Sequence, residues 1–165
     1  MEPQIVDLGS GYTKQVNYYE SGKVQRETYY LNGKSHREDG PAVIRYYESG
    51  EIESEAYYLN GERHREDGPA VIWYYESGKV QRERWCLNGK SHREDGPAEI
   101  WYYESGEIES EAYYLNGKSH REDGPAEIYY YESGKVGDQS WYLDDKLLTK
   151  DEFEQKMVVK KLNLI

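Results

Sequence analysis

Four histidines, His36, His64, His92 and His120, each stand three residues ahead of an aspartate: Asp39, Asp67, Asp95 and Asp123. Imidazole and carboxylate at that spacing can ligate zinc, or work as a general base with its orienting group. A catalytic centre, though, needs one asymmetric constellation with a nucleophile or a metal in a pocket. Here the same "HRED" group recurs four times. Units stacked at strand spacing put neighbouring histidines about 10 Å apart, too far to share one metal. The expectation is that His and Asp hydrogen-bond the corner backbone, while Arg37 and glutamates of the Glu66 type pair across units. No stoichiometric metal and no cofactor are expected, and the row His36, His64, His92, His120 stays as a secondary candidate for ligand binding. Other chemistry is thin. The glycines are single turn residues and make no phosphate loop. Cys86 stands where other units have Tyr30, Tyr58 and Tyr114, which reads as a core substitution, not a nucleophile.

What positions these groups is a repeat. "YYESG" begins at Tyr18, Tyr46, Tyr74, Tyr102 and Tyr130, a period of 28 residues. Residues 1–17 read as an N-terminal cap or half repeat, 18–129 as four complete units, 130–146 as a degenerate fifth, and 147–165 as a helical cap. A second rhythm has twice the period: "KVQRE" in units one and three, "EIESE" in units two and four. Each unit holds two segments rich in aromatic and β-branched residues, "PAVIRYY" (41–47) and "IESEAYYL" (52–59). Both are bounded by turn signals, which is the signature of strands. "ESG" and "LNG" read as hairpin turns, Asn-Gly being the strongest short signal because both positions accept positive φ. At the end, Thr149 and Glu152 have capping-box spacing and Phe153 and Met157 share a helical face, so a helix is expected from about Lys150 to Val158.

Comparison among the units predicts which face is inside. Ala42, Ile44 and Tyr46 have unchanging counterparts, which marks an inward face. The position of Val43 becomes Val71, Glu99 and Glu127, and a site that accepts both valine and glutamate reads as solvent-facing. Its neighbour Arg45 becomes Trp73, Trp101 and Tyr129, so the outward face carries an aromatic row. That row is either cross-strand packing or a partner-binding stripe.

Composition limits the partners. The 165 residues carry 32 Asp and Glu against 21 Lys and Arg, a net charge of −11. Nucleic acid and anionic membranes repel such a surface. By unit the charge alternates +1, −5, 0 and −5, so acidity is banded. Nineteen tyrosines and four tryptophans argue for a folded chain with a tyrosine-rich core, because acidic disordered chains lack aromatics. A single cysteine excludes an intrachain disulfide, and no apolar run approaches a membrane span. "MEPQIVDLGSGY" lacks the regions of a signal peptide, so a cytoplasmic location is expected.

The stretch "YYLNGKSHREDGPAVIRYYESGKV" resembles a MORN-type repeat, closest to the variant of bacterial and phage genomes with "YYxNGKxxxE" strands and "LNGKxHREDGPA" corners. The unit here is longer than the standard one, the excess lying in "REDGP". The resemblance implies an all-β fold, an elongated antiparallel β-meander or solenoid of hairpin repeats. It also implies a scaffold, a dimerisation surface or an antitoxin-like binder, without catalysis. Two functions follow from different classes. One is an acidic repeat rod that binds and inhibits a protein with a basic patch, as a phage or mobile-element product does to a host factor. The other is a scaffold that self-assembles through its sheet face or edges. For the binder, the variable positions Arg45, Trp73, Glu99, Trp101, Glu107, Glu109, Glu127 and Tyr129 are the expected partner-binding residues, since invariant positions are committed to stacking. The oligomeric state is not legible at this level.

Overall fold

The computed structural model describes residues 2–163, which fall into two compact units divided between Lys90 and Ser91. In the first unit an antiparallel meander runs through Gln4–Gly9, Tyr12–Tyr18, Val24–Leu31, Val43–Tyr46, Ile52–Ala56, Val71–Tyr74 and Val80–Arg84, each strand paired with the next. In the second, Glu99–Tyr102, Ile108–Ala112, Glu127–Tyr130, Val136–Leu143 and Lys146–Leu148 pair in the same way. The all-β meander expected from the repeat is thus the fold of each unit.

The turns follow from local chemistry. Every Asn-Gly pair takes positive φ at both residues, for example Asn60 at 53° and Gly61 at 90°. Such turns match the twist of a hairpin. The two turn types do different work, however. "ESG" connects the long strands, closed by Tyr47 N–H to Glu51 O (2.9 Å) and Gly50 N–H to Tyr47 O (2.9 Å). "LNG" does not. The second segment, expected as one strand to Leu59, breaks at Tyr57, whose N–H is taken by Ala70 O at 2.8 Å. Beyond it, Tyr58–Leu59 pairs only with Glu62–Arg63 in a short ribbon off the main sheet. The chain then crosses back through the "HREDGPA" corner.

Two distant contacts explain why the ribbons stack. Gly61 N–H donates to Ser35 O (2.8 Å) and Gly89 N–H to Arg63 O (2.9 Å), so each turn rests on the ribbon one repeat earlier. Tyrosine hydroxyls do the same on the other side: Tyr19 Oη donates to Tyr46 O (2.6 Å), Tyr47 to Tyr74 O (2.6 Å) and Tyr103 to Tyr130 O (2.8 Å). One hydroxyl per repeat thereby satisfies a backbone acceptor 27 residues away, which is why a chain low in aliphatics can still form a specific core. At the N-terminal hairpin, Gly11 takes φ 82°, a backbone conformation that a side chain would strain.

Burial corrects one expectation. Val43 and Val71 are not in solvent: they are 7% and 3% exposed and form a cluster with Ala56, against which Tyr58 and Trp73 pack. The registers Val43↔Ala56↔Val71 put the two valines across a small residue, so the face read as outward is a second packed face. The inward reading holds for Ala42, Ala70, Ala98 and Ala126, all fully buried. Ile44 is only half-buried, between Glu27 and Glu55 on the neighbouring strands, while its counterparts Ile100 and Ile128 are buried. Burying side chains on both sides is how a thin sheet removes enough apolar area from water.

The C-terminal helix spans Lys150–Leu162, four residues longer than the apolar pattern suggested. Its capping box is formed: Thr149 accepts from Glu152 N–H, and Glu152 accepts from Thr149 N–H at 2.8 Å. Phe153 is buried and Met157 half-buried. Lys160 and Lys161 in the last turn favour the extension by complementing the helix dipole.

Candidate functional site

Each corner is built in the same way. The histidine Nδ1 accepts the N–H of the asparagine in the next Asn-Gly turn: Asn60 to His36 at 3.0 Å, Asn88 to His64 at 3.3 Å, Asn116 to His92 at 3.1 Å. At the fourth corner Asp144 N–H donates to His120 at 3.2 Å. At two corners Nδ1 also faces a side-chain oxygen of the same turn residue, Asn88 Oδ1 at 3.0 Å from His64 and Asp144 Oδ1 at 3.2 Å from His120, so its donor or acceptor role there follows the tautomer; the other ring nitrogen is Nε2. That nitrogen faces a glutamate of its own corner, Glu38, Glu66, Glu94 or Glu122, at 3.6, 3.6, 3.8 and 3.4 Å.

The aspartates are not histidine partners. Arg37, Arg65, Arg93 and Arg121 donate Nε–H to Asp39, Asp67, Asp95 and Asp123 at 2.7–2.9 Å. The same guanidiniums reach the carbonyls of Pro41, Pro69, Pro97 and Pro125 at 3.2–3.4 Å. Arg37, Arg65 and Arg121 also lie on the rings of Tyr29, Tyr57 and Tyr113, 4.3, 4.1 and 3.9 Å from their centroids. The expected pairing of arginine with glutamate across units is therefore replaced by an arginine–aspartate pair within one corner. Glycine makes the tight loop possible: at Gly40 a Cβ would sit 3.2 Å from Arg37 Cζ. No histidine pairs with the aspartate of its own corner, although His120 Nδ1 lies 3.2 Å from Asp144 Oδ1 in the following turn, and among the described residues no group of three or more His, Cys, Asp or Glu side chains is placed to hold a metal ion.

The arginines hold Asp39, Asp67, Asp95 and Asp123 below the ordinary aspartate value of 3.8. A depressed carboxylate contributes stability that is present above its unfolded pKa and lost as pH falls through the folded one. The urea midpoint should accordingly fall as pH drops below about 4, with a shallower fall in Asp67→Asn. A midpoint that held steady down to the lowest pH would show that the corner pairs carry no stability.

The strand-face candidates fall into short rows. In the first unit, Arg45 lies opposite both Arg26 and Ser54, and Ser54 lies opposite Trp73. Arg45 is exposed, but Trp73 is packed on the valine cluster beneath the Arg82 guanidinium, 4.5 Å away. In the second unit, Trp101 and Tyr129 flank Ser110 from either side. One step along the same strands, Glu99 and Glu127 flank Ala112, where the first unit has valines. Trp101 is half-buried and donates Nε1–H to Glu99 at 2.8 Å. Burial pushes the Glu127 carboxyl up. Tyr129 is 53% exposed, Glu107 is exposed in its turn and Glu109 is half-buried. The substitution of Glu for Val is thus compatible with a half-buried site, and the second unit gathers two aromatic rings and two carboxylates on neighbouring strands.

Three features were not legible in sequence. Asp145 sits where the other turns have glycine, at φ 66°, and accepts from Ser119 N–H at 2.7 Å while its own N–H returns to Ser119 O at 3.0 Å. Lys160 of the helix pairs with Glu122 of the fourth corner and holds its carboxyl below the ordinary range. Glu55 and Glu111 accept from the hydroxyls of Tyr74 and Tyr130 at 2.8 Å. Tyr130, raised first by burial and then by Glu111, is pushed up to about 12. The recurrence of Tyr and Glu at fixed offsets was the only sequence signal of that last pair.

The MORN repeat variant model matches the chain at residues 13–35, 42–60, 70–84 and 98–118, over the strand-and-turn segments just described. The chain is a MORN-type repeat protein. MORN repeats are in general protein- or membrane-interaction modules, and the family is typically non-catalytic. No curated protein and no solved structure matches this MORN-type chain. No helix in the described residues is long and apolar enough to cross a membrane.

Proposed function

We propose that this MORN-type protein is a non-enzymatic interaction module that binds the basic patch of a protein partner. The observation that carries the reading is the strand face of the second unit, where exposed Tyr129 lies across Ser110 from Trp101, with Glu127 on the strand of Tyr129 and Glu99 on the strand of Trp101. An aromatic anchor edged by acids suits a basic protein surface: the ring supplies buried area, and carboxylates steer and select. The net charge of −11 supports the same partner class. By occupying a basic site, such a module acts as an inhibitor or antitoxin-like protein, in a phage or mobile-element setting and in the cytoplasm.

The test is affinity capture followed by titration of the purified partner. Tyr129→Ala should weaken binding by roughly 2 kcal/mol, with the unfolding midpoint almost unchanged. Reversing Glu107 and Glu109 to lysine should mainly slow association and alter its salt dependence. Trp73→Ala should instead destabilise the fold, because Trp73 packs on the valine cluster. Unchanged affinity in Tyr129→Ala would remove the strand face from the interface. Assembly that grows with concentration in light scattering, with no partner captured, would favour the self-assembling scaffold.

A further inference from the structure

We infer that the corners at Glu38, Glu66 and Glu94 are docking points for lysine side chains of the partner, in the manner that Lys160 occupies Glu122. The inference rests on the reading of this chain as a binder of a basic protein, and it names the groups that do the binding. Every corner contains one arginine and two acids, and the arginine is committed to the aspartate. The glutamate is left facing only a histidine Nε2, at 3.4–3.8 Å. Each corner is therefore short of one cation.

At the fourth corner the molecule supplies it. Lys160, from a helix 38 residues further along, reaches Glu122, and the contact depresses the carboxyl. The Glu122 side chain is 46% exposed, against 77%, 85% and 85% for Glu38, Glu66 and Glu94. The arginine–aspartate pair and the histidine–glutamate contact are the same at all four corners, so the fourth, although its turn carries Asp144 in place of asparagine, serves as an internal example of a ligated corner. Room for a side chain exists: a groove of ≈ 420 Å³ lies between the Arg37 and Arg65 corners, with Tyr57 and Leu59 at its base, and one of ≈ 650 Å³ lies between the Arg93 and Arg121 corners. An aliphatic lysine stem can lie on such an apolar base while its ammonium meets the carboxylate. Within the first unit, strand spacing separates the Glu38 and Glu66 corners by about 10 Å, which fits cations at every third residue of an extended segment.

The test uses the full chain and an oligolysine peptide at low salt, so it does not depend on knowing the natural partner. Changing Glu38, Glu66 and Glu94 together to glutamine should weaken peptide binding about tenfold. Changing the turn residues Glu48, Glu76 and Glu132 to glutamine removes the same charge and should weaken it less than about twofold. Lys160→Gln should make the backbone amide signals of the fourth corner respond to the peptide, as those of the other three do in the parent. Equal losses in the two triple variants would reduce the effect to net charge and overturn the inference, as would no loss in either. Self-association of the full chain that Lys160→Gln abolishes would assign the cation to a second copy and overturn it too. Tyr129→Ala should leave oligolysine binding unchanged, so a failure of the corner and a failure of the strand-face reading are read in different variants.

Discussion

Arg65→Ala should lower stability by about 2 kcal/mol, and Arg65→Lys should recover little of that loss. The exposed pair with Asp67 contributes the least, because solvent screens a surface ion pair. The larger part comes from the planar guanidinium. It lies 4.1 Å from the Tyr57 ring centroid and also reaches the Pro69 carbonyl at 3.4 Å. A stacked cation contributes roughly 0.5–2 kcal/mol, and the long carbonyl contact adds a smaller amount. Lysine keeps the charge but has neither the flat face nor the fork, so it is not a conservative replacement at a stacked, forked site. The comparison is made by urea midpoints of the two variants. Full recovery in Arg65→Lys would show that the corner needs only a charge.

Ala70→Leu should cost about 3 kcal/mol, the upper end of what forced overpacking does in a well-packed core. Ala70 has no exposed surface, and its carbonyl accepts the Tyr57 N–H at 2.8 Å, so neither side chain nor backbone has slack. Its counterparts Ala42, Ala98 and Ala126 are equally buried. The extra carbons have to displace the corner or open the strand pairing beside it. Thermal and urea unfolding of the purified variant measure the effect. A leucine tolerated without loss would mean that the corner is free to move away from the sheet.

The parts of this fold that could be read from sequence are those decided within a few residues. Asn60-Gly61 adopts its turn whatever surrounds it, and Thr149 and Glu152 close a capping box across a single helical turn. The face of Val43 was misread because variation to glutamate was taken as exposure. In the structure a half-buried carboxylate is tolerated where Trp101 donates an N–H to Glu99 two residues away. The role of the corner histidines was half legible. That they bond to backbone follows from repetition, but the donor, an amide in the next turn 24 residues on, depends on how ribbons stack. The candidate site divides likewise. Tyr129 and Arg45 lie exposed as expected, whereas Trp73 packs on the valine cluster with Ser54 on one side and the Arg82 guanidinium over its ring. Lys160 on Glu122 joins residues that no local pattern connects.

The joints His36–Asn60, His64–Asn88 and His92–Asn116 all use the same donor, the same acceptor and the same 24-residue offset. In-register recombination between two such units brings together halves whose bonding groups already match. A copy can be gained or lost without stranding a polar atom at the seam, so mutation has an easy route to shorter and longer versions of this chain. The fourth joint is different: Asp144 and Asp145 replace Asn-Gly, and a helix follows where a corner would come. The substitution works as a stop signal, and copy number can drift on its N-terminal side while the terminus stays sealed.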